Sequence, residues 1–206
     1  MKLIILLAFC GATSATLFPS DQIAAIVNYH NSFRSQLAKG TYKAKDGTVF
    51  AAATNMQTMQ WNTTLGTSAS NYAAKCIFLT HSGTPGVGEN LYVTSSSVVT
   101  GLGAAASKAW ADEFYNYGPQ GYTFSSKTGH ATQMAWATTK TVGCGYALCK
   151  NGPSGFTSYT NVVCQYYRQG NYIGQKAYAQ GTTCTKCPSG SPCQTSTAIS
   201  GLCGTA

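Results

Sequence analysis

The distribution of cysteine constrains this 206-residue chain more than any other feature of its sequence. Four cysteines are spread through the body of the chain, and four more crowd its C-terminal end (Cys76, Cys144, Cys149 and Cys164; Cys184, Cys187, Cys193 and Cys203). The two spacings predict two structural units, a body at residues 16–180 and a Cys-rich tail at 181–206. Because the tail has almost no large apolar side chains, we expect crosslinks to order it.

The first 15 residues have the pattern of a cleaved signal peptide. Lys2 precedes a short apolar run that ends at Cys10, and the small residues Thr13 and Ala15 suit a signal peptidase. The run is about half as long as the roughly 20 apolar residues that cross a membrane, and no later segment is long enough. We therefore expect a secreted, extracellular protein without a transmembrane segment.

Export and cysteine number together indicate disulfides. Removal of residues 1–15 takes Cys10 away and leaves eight of the nine cysteines, an even number. The Cys-x-x-Cys spacing at Cys184 and Cys187 also fits a zinc knuckle, but the tail contains no histidine and an oxidising compartment favours disulfides.

The charge pattern narrows the range of partners. Charged residues are only 9% of the chain, and the mature chain has a net charge of +7 once Lys2 is removed. Its cations are scattered singly, apart from a loose group at residues 39–45, whereas phosphate recognition uses a dense stripe. The sequence therefore argues against nucleic acid and leaves weak attraction to anionic lipid surfaces or acidic glycans open.

Apolar periodicity predicts four helices followed by a β-hairpin. The first helix starts after an N-cap at Ser20 and ends at Gly40, with His30 packed on its apolar face. The other expected elements are helices at 65–76, 98–115 and 128–136, and strands at 141–149 and 159–167 around a turn at 151–153. Helices first and a hairpin late predict an α+β fold with helices on a short antiparallel sheet.

Five motifs follow one another between residues 20 and 180. They are His30-Asn31-x-x-Arg34, Gly88-Glu89-Asn90, Trp110-x-x-Glu113, the run 129–136 and the run 162–172. Together they resemble the motifs of the CAP superfamily of cysteine-rich secretory, antigen 5 and pathogenesis-related-1 proteins. The sequence around His130 most resembles that of nematode venom allergen-like and activation-associated secreted proteins. The resemblance implies an αβα sandwich, with the tail as a Cys-rich hinge.

The resemblance also implies a disulfide map and a polar cleft. The implied disulfides pair Cys76 with Cys149, Cys144 with Cys164, Cys184 with Cys193 and Cys187 with Cys203. The implied cleft tetrad is His81, Glu89, Glu113 and His130, which accounts for four of the five His and Glu residues of the chain. Two imidazoles and two carboxylates could hold a divalent metal such as zinc, act as an acid and base pair, or form a purely structural network. We expect no required cofactor.

A loop after the third predicted helix is a candidate sterol site. Tyr115, Tyr117 and Tyr122 surround a turn that contains Gly118 and Pro119, and the pattern resembles the caveolin-binding-like loop through which CAP proteins bind sterol. Flat aromatic faces can cover a rigid ring system, and phenol groups can reach its hydroxyl. Ordinary packing of the aromatic side chains is the alternative.

Two further expectations concern lipid and glycan. The resemblance implies a fatty-acid site between two long helices, with the first helix as one wall. Asn62-Thr63-Thr64 is a glycosylation sequon in a polar turn.

Three functional hypotheses follow. The first is a secreted, non-enzymatic protein that binds sterol, is released by a parasite and acts on host lipid or immune signalling. The second is an immunomodulator that acts on a host protein or receptor through its surface, with incidental lipid binding. The third is a metal-dependent hydrolase, which the sequence supports least because it contains no nucleophile elbow and no His-Glu-x-x-His motif.

Overall fold

A computed structural model describes residues 15–153 and 155–205. The predicted signal peptide lies outside the described residues, except for Ala15. Four α-helices and five strands follow one another as β1 (Thr16–Leu17), α1 (Ser20–Ala38), β2 (Gln60–Trp61), α2 (Thr63–Ala73), β3 (Gly88–Thr94), α3 (Leu102–Tyr117), α4 (Gly129–Met134), β4 (Thr141–Lys150) and β5 (Ser158–Tyr167). None of the described helices is long and apolar enough to cross a membrane.

The strands form one sheet in the order β1-β4-β5-β3, and short β2 joins β4 in parallel. Alternate residues of β4 and β5 face opposite layers. Val142, Val162 and Tyr166 point to the core of α1, α3 and α4, whereas Ala147 and Val163 point to α2. This arrangement confirms the predicted α+β fold, a sheet sandwiched between helices.

Two glycines let α2 lie directly on β4. A Cβ atom at Gly143 would overlap the backbone of Gly66, and one at Gly145 would overlap that of Ser70. Because the helix backbone touches the strand, the contact is too close for a side chain.

Two helices, α1 and α3, start at residues other than the predicted ones, and the backbone conformation of the preceding residue accounts for each difference. Ser20 is the first residue of α1 and not its N-cap, because extended Pro19 occupies that position without a side-chain hydrogen bond. α3 begins at Leu102, four residues later than predicted, after Gly101 in the left-handed region at φ 75°. Strand β3 was not predicted, although Leu91, Tyr92 and Val93 suit a strand.

The Cys-rich tail packs against the body. Its disulfides are Cys184–Cys193 and Cys187–Cys203, and the body contains Cys76–Cys149 and Cys144–Cys164, the same four pairs that the resemblance implies. Leu202 is fully buried in the main core, and the amide of Cys203 donates to the carbonyl of Met56 at 2.7 Å. The tail therefore shares the core of the body in addition to its own crosslinks.

Candidate functional site

The first half of the predicted tetrad is a pair formed by His81 and Glu89. His81 lies in the segment after α2 and is exposed, whereas Glu89 lies on edge strand β3 with its side chain nearly buried. Nδ1 of His81 is 3.0 Å from Oε1 of Glu89, which also accepts the amide N–H of Ser82. Gln165 donates its side-chain amide to the second oxygen, Oε2, at 3.0 Å.

These contacts set the charge of Glu89. Burial raises the pKa of this carboxyl, but hydrogen bonds from His81, Gln165 and Ser82 outweigh burial and leave the pKa below its usual value. The carboxylate is therefore ionised at neutral pH and accepts the Nδ1 proton of the imidazole.

The second half of the tetrad is a pair formed by Glu113 and His130. Glu113 lies on α3, and its Oε1 is 2.6 Å from Nδ1 of His130. Its other oxygen accepts the amides of His130 and Ala131 at 2.9 and 3.0 Å. One carboxylate thus orients an imidazole and caps the first turn of α4, which has no side-chain cap of its own.

Strand β3 joins the two pairs. Glu89 and the next residue, Asn90, point to opposite faces of the strand. Asn90 donates to the carbonyl of His130 at 3.1 Å, while a Cβ atom at Gly88 would overlap the side chain of Gln133 on α4. In the Gly88-Glu89-Asn90 motif, Gly88 therefore allows the close approach of α4, Glu89 orients His81, and Asn90 attaches α4 to the sheet.

The two imidazoles share one chemical property. Since each Nδ1 faces a carboxylate, each ring presents Nε2 as its open nitrogen, the arrangement in which a carboxylate fixes a histidine for a metal. His81 and Glu89 line a cleft of about 230 Å³ with Gln133, Gln169 and Asn171. The donor set of imidazole nitrogens thus fits a divalent cation such as zinc.

The four tetrad residues do not form a compact ligand cluster. Within residues 15–153 and 155–205, the one group of three or more ligand atoms within 4.8 Å of one another is Cys184, Cys187 and Cys203, and these cysteines are in disulfides. The geometry therefore consists of two separate His–Glu pairs.

The predicted sterol loop divides into an exposed part and a packed part. Tyr115 and Tyr117 lie in the last turn of α3 and are 44% and 52% exposed, and Phe124 beyond the turn is 41% exposed. We call these three residues the aromatic patch. Gly118, at φ 69°, ends the helix, and Pro119 precedes a short 3-10 turn at Gln120–Tyr122.

Tyr122 belongs to the packed part. Its hydroxyl accepts the amide of Ala51 at 2.9 Å, and its ring contacts those of Phe50 and Tyr178 edge-on. Tyr122 therefore anchors the turn, whereas Tyr115 and Tyr117 are exposed at the end of α3.

The sequon asparagine also has a structural contact. Asn62 is the N-cap of α2, and its Oδ1 accepts the amide of Leu65 at 3.0 Å. A glycan would be attached through Nδ2, so the cap and the modification are compatible. Thr64 of the sequon is exposed.

Sequence reasoning missed the polar residues that support the site. Tyr166 donates its hydroxyl to Nε2 of His30 at 2.9 Å and accepts from Asn90 at 3.2 Å. His30, whose Nδ1 donates to Ile26, is a packed and fully bonded core residue, as predicted. Gln165 and Tyr166 both lie in the run 162–172, and this motif is the sequence signal that could have pointed to them.

Residues 27–166 match the CAP family, described as the cysteine-rich secretory protein family. Cysteine-rich secretory protein 3 of Equus caballus is 35% identical over 189 residues, which are 86% of this chain and 69% of the relative. Ancylostoma secreted protein of Ancylostoma caninum is 33% identical over 86% of this chain, but the match spans only 42% of that relative.

Two solved structures are similar in fold and length. The crystal structure of NaASP2 with Zn²⁺ superposes with a TM-score of 0.76 at 30% identity and covers 90% of this chain and 96% of that chain. The structure of BmVAL-1 superposes with a TM-score of 0.72 at 28% identity over 92% of this chain and 96% of that one. The matched motifs, the sandwich fold and these relatives together show that the chain belongs to the CAP family of cysteine-rich secretory proteins.

Proposed function

We propose that the chain is a secreted, non-enzymatic protein that binds sterol at the aromatic patch, Tyr115, Tyr117 and Phe124. The observation that carries the proposal is the exposure of these three aromatic side chains beside the turn at Gly118 and Pro119. Exposed apolar patches on a polar surface mark interaction sites. Secretion is supported by the four disulfides and by relatives named as secretory proteins.

The test is equilibrium binding of labelled cholesterol to the purified protein with intact disulfides. The double substitution Tyr115→Ala and Tyr117→Ala should lower the affinity about tenfold or more, because it removes exposed contact surface without touching the core. Tyr122 is left unchanged, since its removal would disturb the packing around Phe50 and Tyr178.

The matched control is the pair Tyr167→Ala and Tyr172→Ala, two tyrosines of similar exposure elsewhere on the surface. Its affinity for cholesterol should stay within about twofold of wild type. Equal losses in both variants, or no saturable binding by the wild-type protein, would contradict a sterol site at the patch.

A second candidate function is binding of a divalent cation by His81 and His130. The two open Nε2 atoms support it, and one relative was crystallised with Zn²⁺. Bound there, a zinc ion would supply a positive charge and a Lewis acid. Calorimetric titration should give a zinc affinity that falls at least tenfold in His81→Ala and in His130→Ala, and unchanged affinity in both variants would exclude the tetrad.

Hydrolysis remains the weakest hypothesis. In the part of the chain that the structure describes, neither His81 nor His130 is hydrogen-bonded to a hydroxyl or thiol that could act as a nucleophile. Turnover of a peptide and ester panel that disappears on replacing these histidines would overturn the non-enzymatic proposal.

The biological proposals extend from binding to the host. We propose release by a parasite and action on host lipid or immune signalling, with the alternative that a host protein or receptor recognises the surface. A host-cell effect that persists in the Tyr115→Ala and Tyr117→Ala variant would favour the alternative. Glycosylation at Asn62 is proposed as well, and digestion with a glycosidase should lower the mass of the secreted protein.

The proposed fatty-acid site is restricted by the contact between α1 and α3. A Cβ atom at Gly103 would lie 2.6 Å from Cγ1 of Ile26, so the two helices touch there. Gln22 of α1 also accepts the amide of Gly103. An acyl chain beside α1 would therefore have to lie away from this contact.

A further inference from the structure

A groove of about 480 Å³ lies where β4 begins and β5 ends, next to the Cys-rich tail. It is lined by Gln57, Thr138, Lys140, Tyr167 and Arg168 of the body and by Pro188 of the tail. None of these residues lines the cleft of His81 and Glu89 or belongs to the aromatic patch. The groove is thus a separate feature of the surface.

Two cations lie side by side in the groove. Thr141 of β4 is opposite Tyr167 of β5, and the amide of Lys140 donates to the carbonyl of Tyr167 at 3.1 Å, so Lys140 and Arg168 sit on neighbouring strand ends. Like charges in adjacent strands repel each other. No Asp or Glu lines the groove, and neither cation has an ion pair among the described residues.

Gln57 adds a polar side chain to the groove. The residue as a whole is only 6% exposed, and it lines the groove. Its carbonyl is fixed by buried Arg34, whose Nε and Nη2 donate to it at 2.9 and 2.6 Å. Because Gln57 lines the groove, its side-chain amide can donate to a ligand oxygen there.

We propose that this groove binds the sulfate groups of an extracellular sulfated polysaccharide. Arg168 can bind a sulfate through two parallel hydrogen bonds, and Lys140 supplies a second positive charge. The side-chain amide of Gln57 can donate a further hydrogen bond. The exposed ring of Tyr167 offers a flat face for a sugar ring. This ligand goes beyond the proposed sterol and cation binding because the groove shares no residue with either site.

Polysaccharide fits the groove better than the other polyanions do. Nucleic acid would need successive aromatic platforms and a longer cationic track, whereas the groove has one exposed tyrosine and two cations. A membrane surface would need apolar side chains that insert between lipids. A concave, hydroxyl-containing groove suits a short stretch of sulfated sugar.

The test is binding of the secreted, disulfide-intact protein to immobilised heparin at low and physiological salt. The variant Lys140→Gln and Arg168→Gln should lower the affinity at least tenfold. The control Lys75→Gln and Lys127→Gln removes the same charge from two exposed lysines elsewhere, and its affinity should change by less than about threefold. Thermal unfolding of each variant checks that the fold is retained.

Two further probes identify the chemistry. Desulfated heparin should not bind measurably, because the proposed contacts are made to sulfate, and free inositol hexakisphosphate should compete only weakly. Equal losses in the two variants, binding of desulfated heparin as strong as that of heparin, or recognition of the phosphate probe without recognition of heparin would each overturn the proposal, as would absence of heparin binding by the wild-type protein.

Discussion

Arg34 is a fully buried cation that is held by backbone oxygens alone. Its guanidinium donates to the carbonyls of Gln57, Met134, Trp136, Ala137 and Thr139 at distances from 2.6 to 3.2 Å. Burial lowers its pKa to about 9, so it stays charged at neutral pH. One side chain thereby ties α1 to the chain segment between α4 and β4.

Replacing Arg34 should therefore be severe. Arg34→Met keeps much of the volume but leaves five carbonyls without their donor, and we expect the free energy of unfolding to fall by about 3–5 kcal/mol. Urea denaturation measures it. Arg168→Met, an exposed change of the same type, should cost less than about 0.5 kcal/mol. A similar small loss for Arg34→Met would mean that water replaces the missing donors.

His30 should make stability depend on pH. Burial, with a smaller contribution from the charge of Arg34, lowers its pKa from 6.5 to about 4, although the hydrogen bond from Nδ1 to the carbonyl of Ile26 opposes the shift. Between these values the unfolded chain binds the proton and the folded chain does not, so stability falls as pH decreases from 6.5 to 4. The loss amounts to about 3 kcal/mol at most.

The experiment compares the pH dependence of wild type and His30→Gln by urea denaturation. The variant should show a flatter profile between pH 6.5 and 4. Glu89 affects stability in a lower pH range than His30, because a carboxyl with a lowered pKa loses its stabilising effect only as pH falls through that pKa. Identical profiles for the two proteins above pH 4.5 would contradict a lowered pKa of His30 in the folded protein.

At the scale of elements, α4 depends on a residue of α3. This helix has six residues and lacks a cap of its own, and Glu113 accepts two of its first amides. Glu113→Ala should lower stability by about 1–2 kcal/mol and speed hydrogen exchange at His130 and Ala131. Asp112→Ala, which removes only an exposed ion pair with Lys108, is the control. Unchanged exchange in Glu113→Ala would contradict the cap.

Periodicity in the sequence predicted the long elements and not the short ones. α1, α2, β4 and β5 have apolar side chains at regular intervals, so the sequence predicts both the elements and their buried faces. β1 and β2 have two residues each, too few for any period. β3 starts with Gly88 and Glu89, which suit a loop by composition, although tertiary contacts with β5 make it a strand.

The candidate site was predictable in its residues but not in its geometry. Motif resemblance named His81, Glu89, Glu113 and His130. It included Gln165 in the run 162–172 but did not indicate that this residue completes the contacts of Glu89, or that the tetrad separates into two pairs. Likewise, the tyrosine pattern around Gly118 could not reveal that Tyr122 bonds to Ala51, because that contact joins residues 71 positions apart.

At the scale of the whole molecule, the question is whether the tail unfolds with the body. The composition of the tail suggests crosslinks alone, yet Leu202 is buried in the main core and Ser35 of α1 donates to the carbonyl of Ser200 at 2.6 Å. The amide of Thr58 also donates to the carbonyl of Cys203. Such contacts should couple the two parts into one cooperative unit.

Leu202→Ala tests this coupling. If the tail and the body share one core, the substitution lowers the temperature of a single unfolding transition, with a loss of about 2–4 kcal/mol. Ile173→Ala removes a similar side chain that is 81% exposed and should have little effect. If the tail is instead an autonomous disulfide unit, calorimetry of Leu202→Ala will show an early minor transition while the main one stays in place. The first outcome would make the tail a structural part of the CAP fold, because core packing and crosslinks would then fail together.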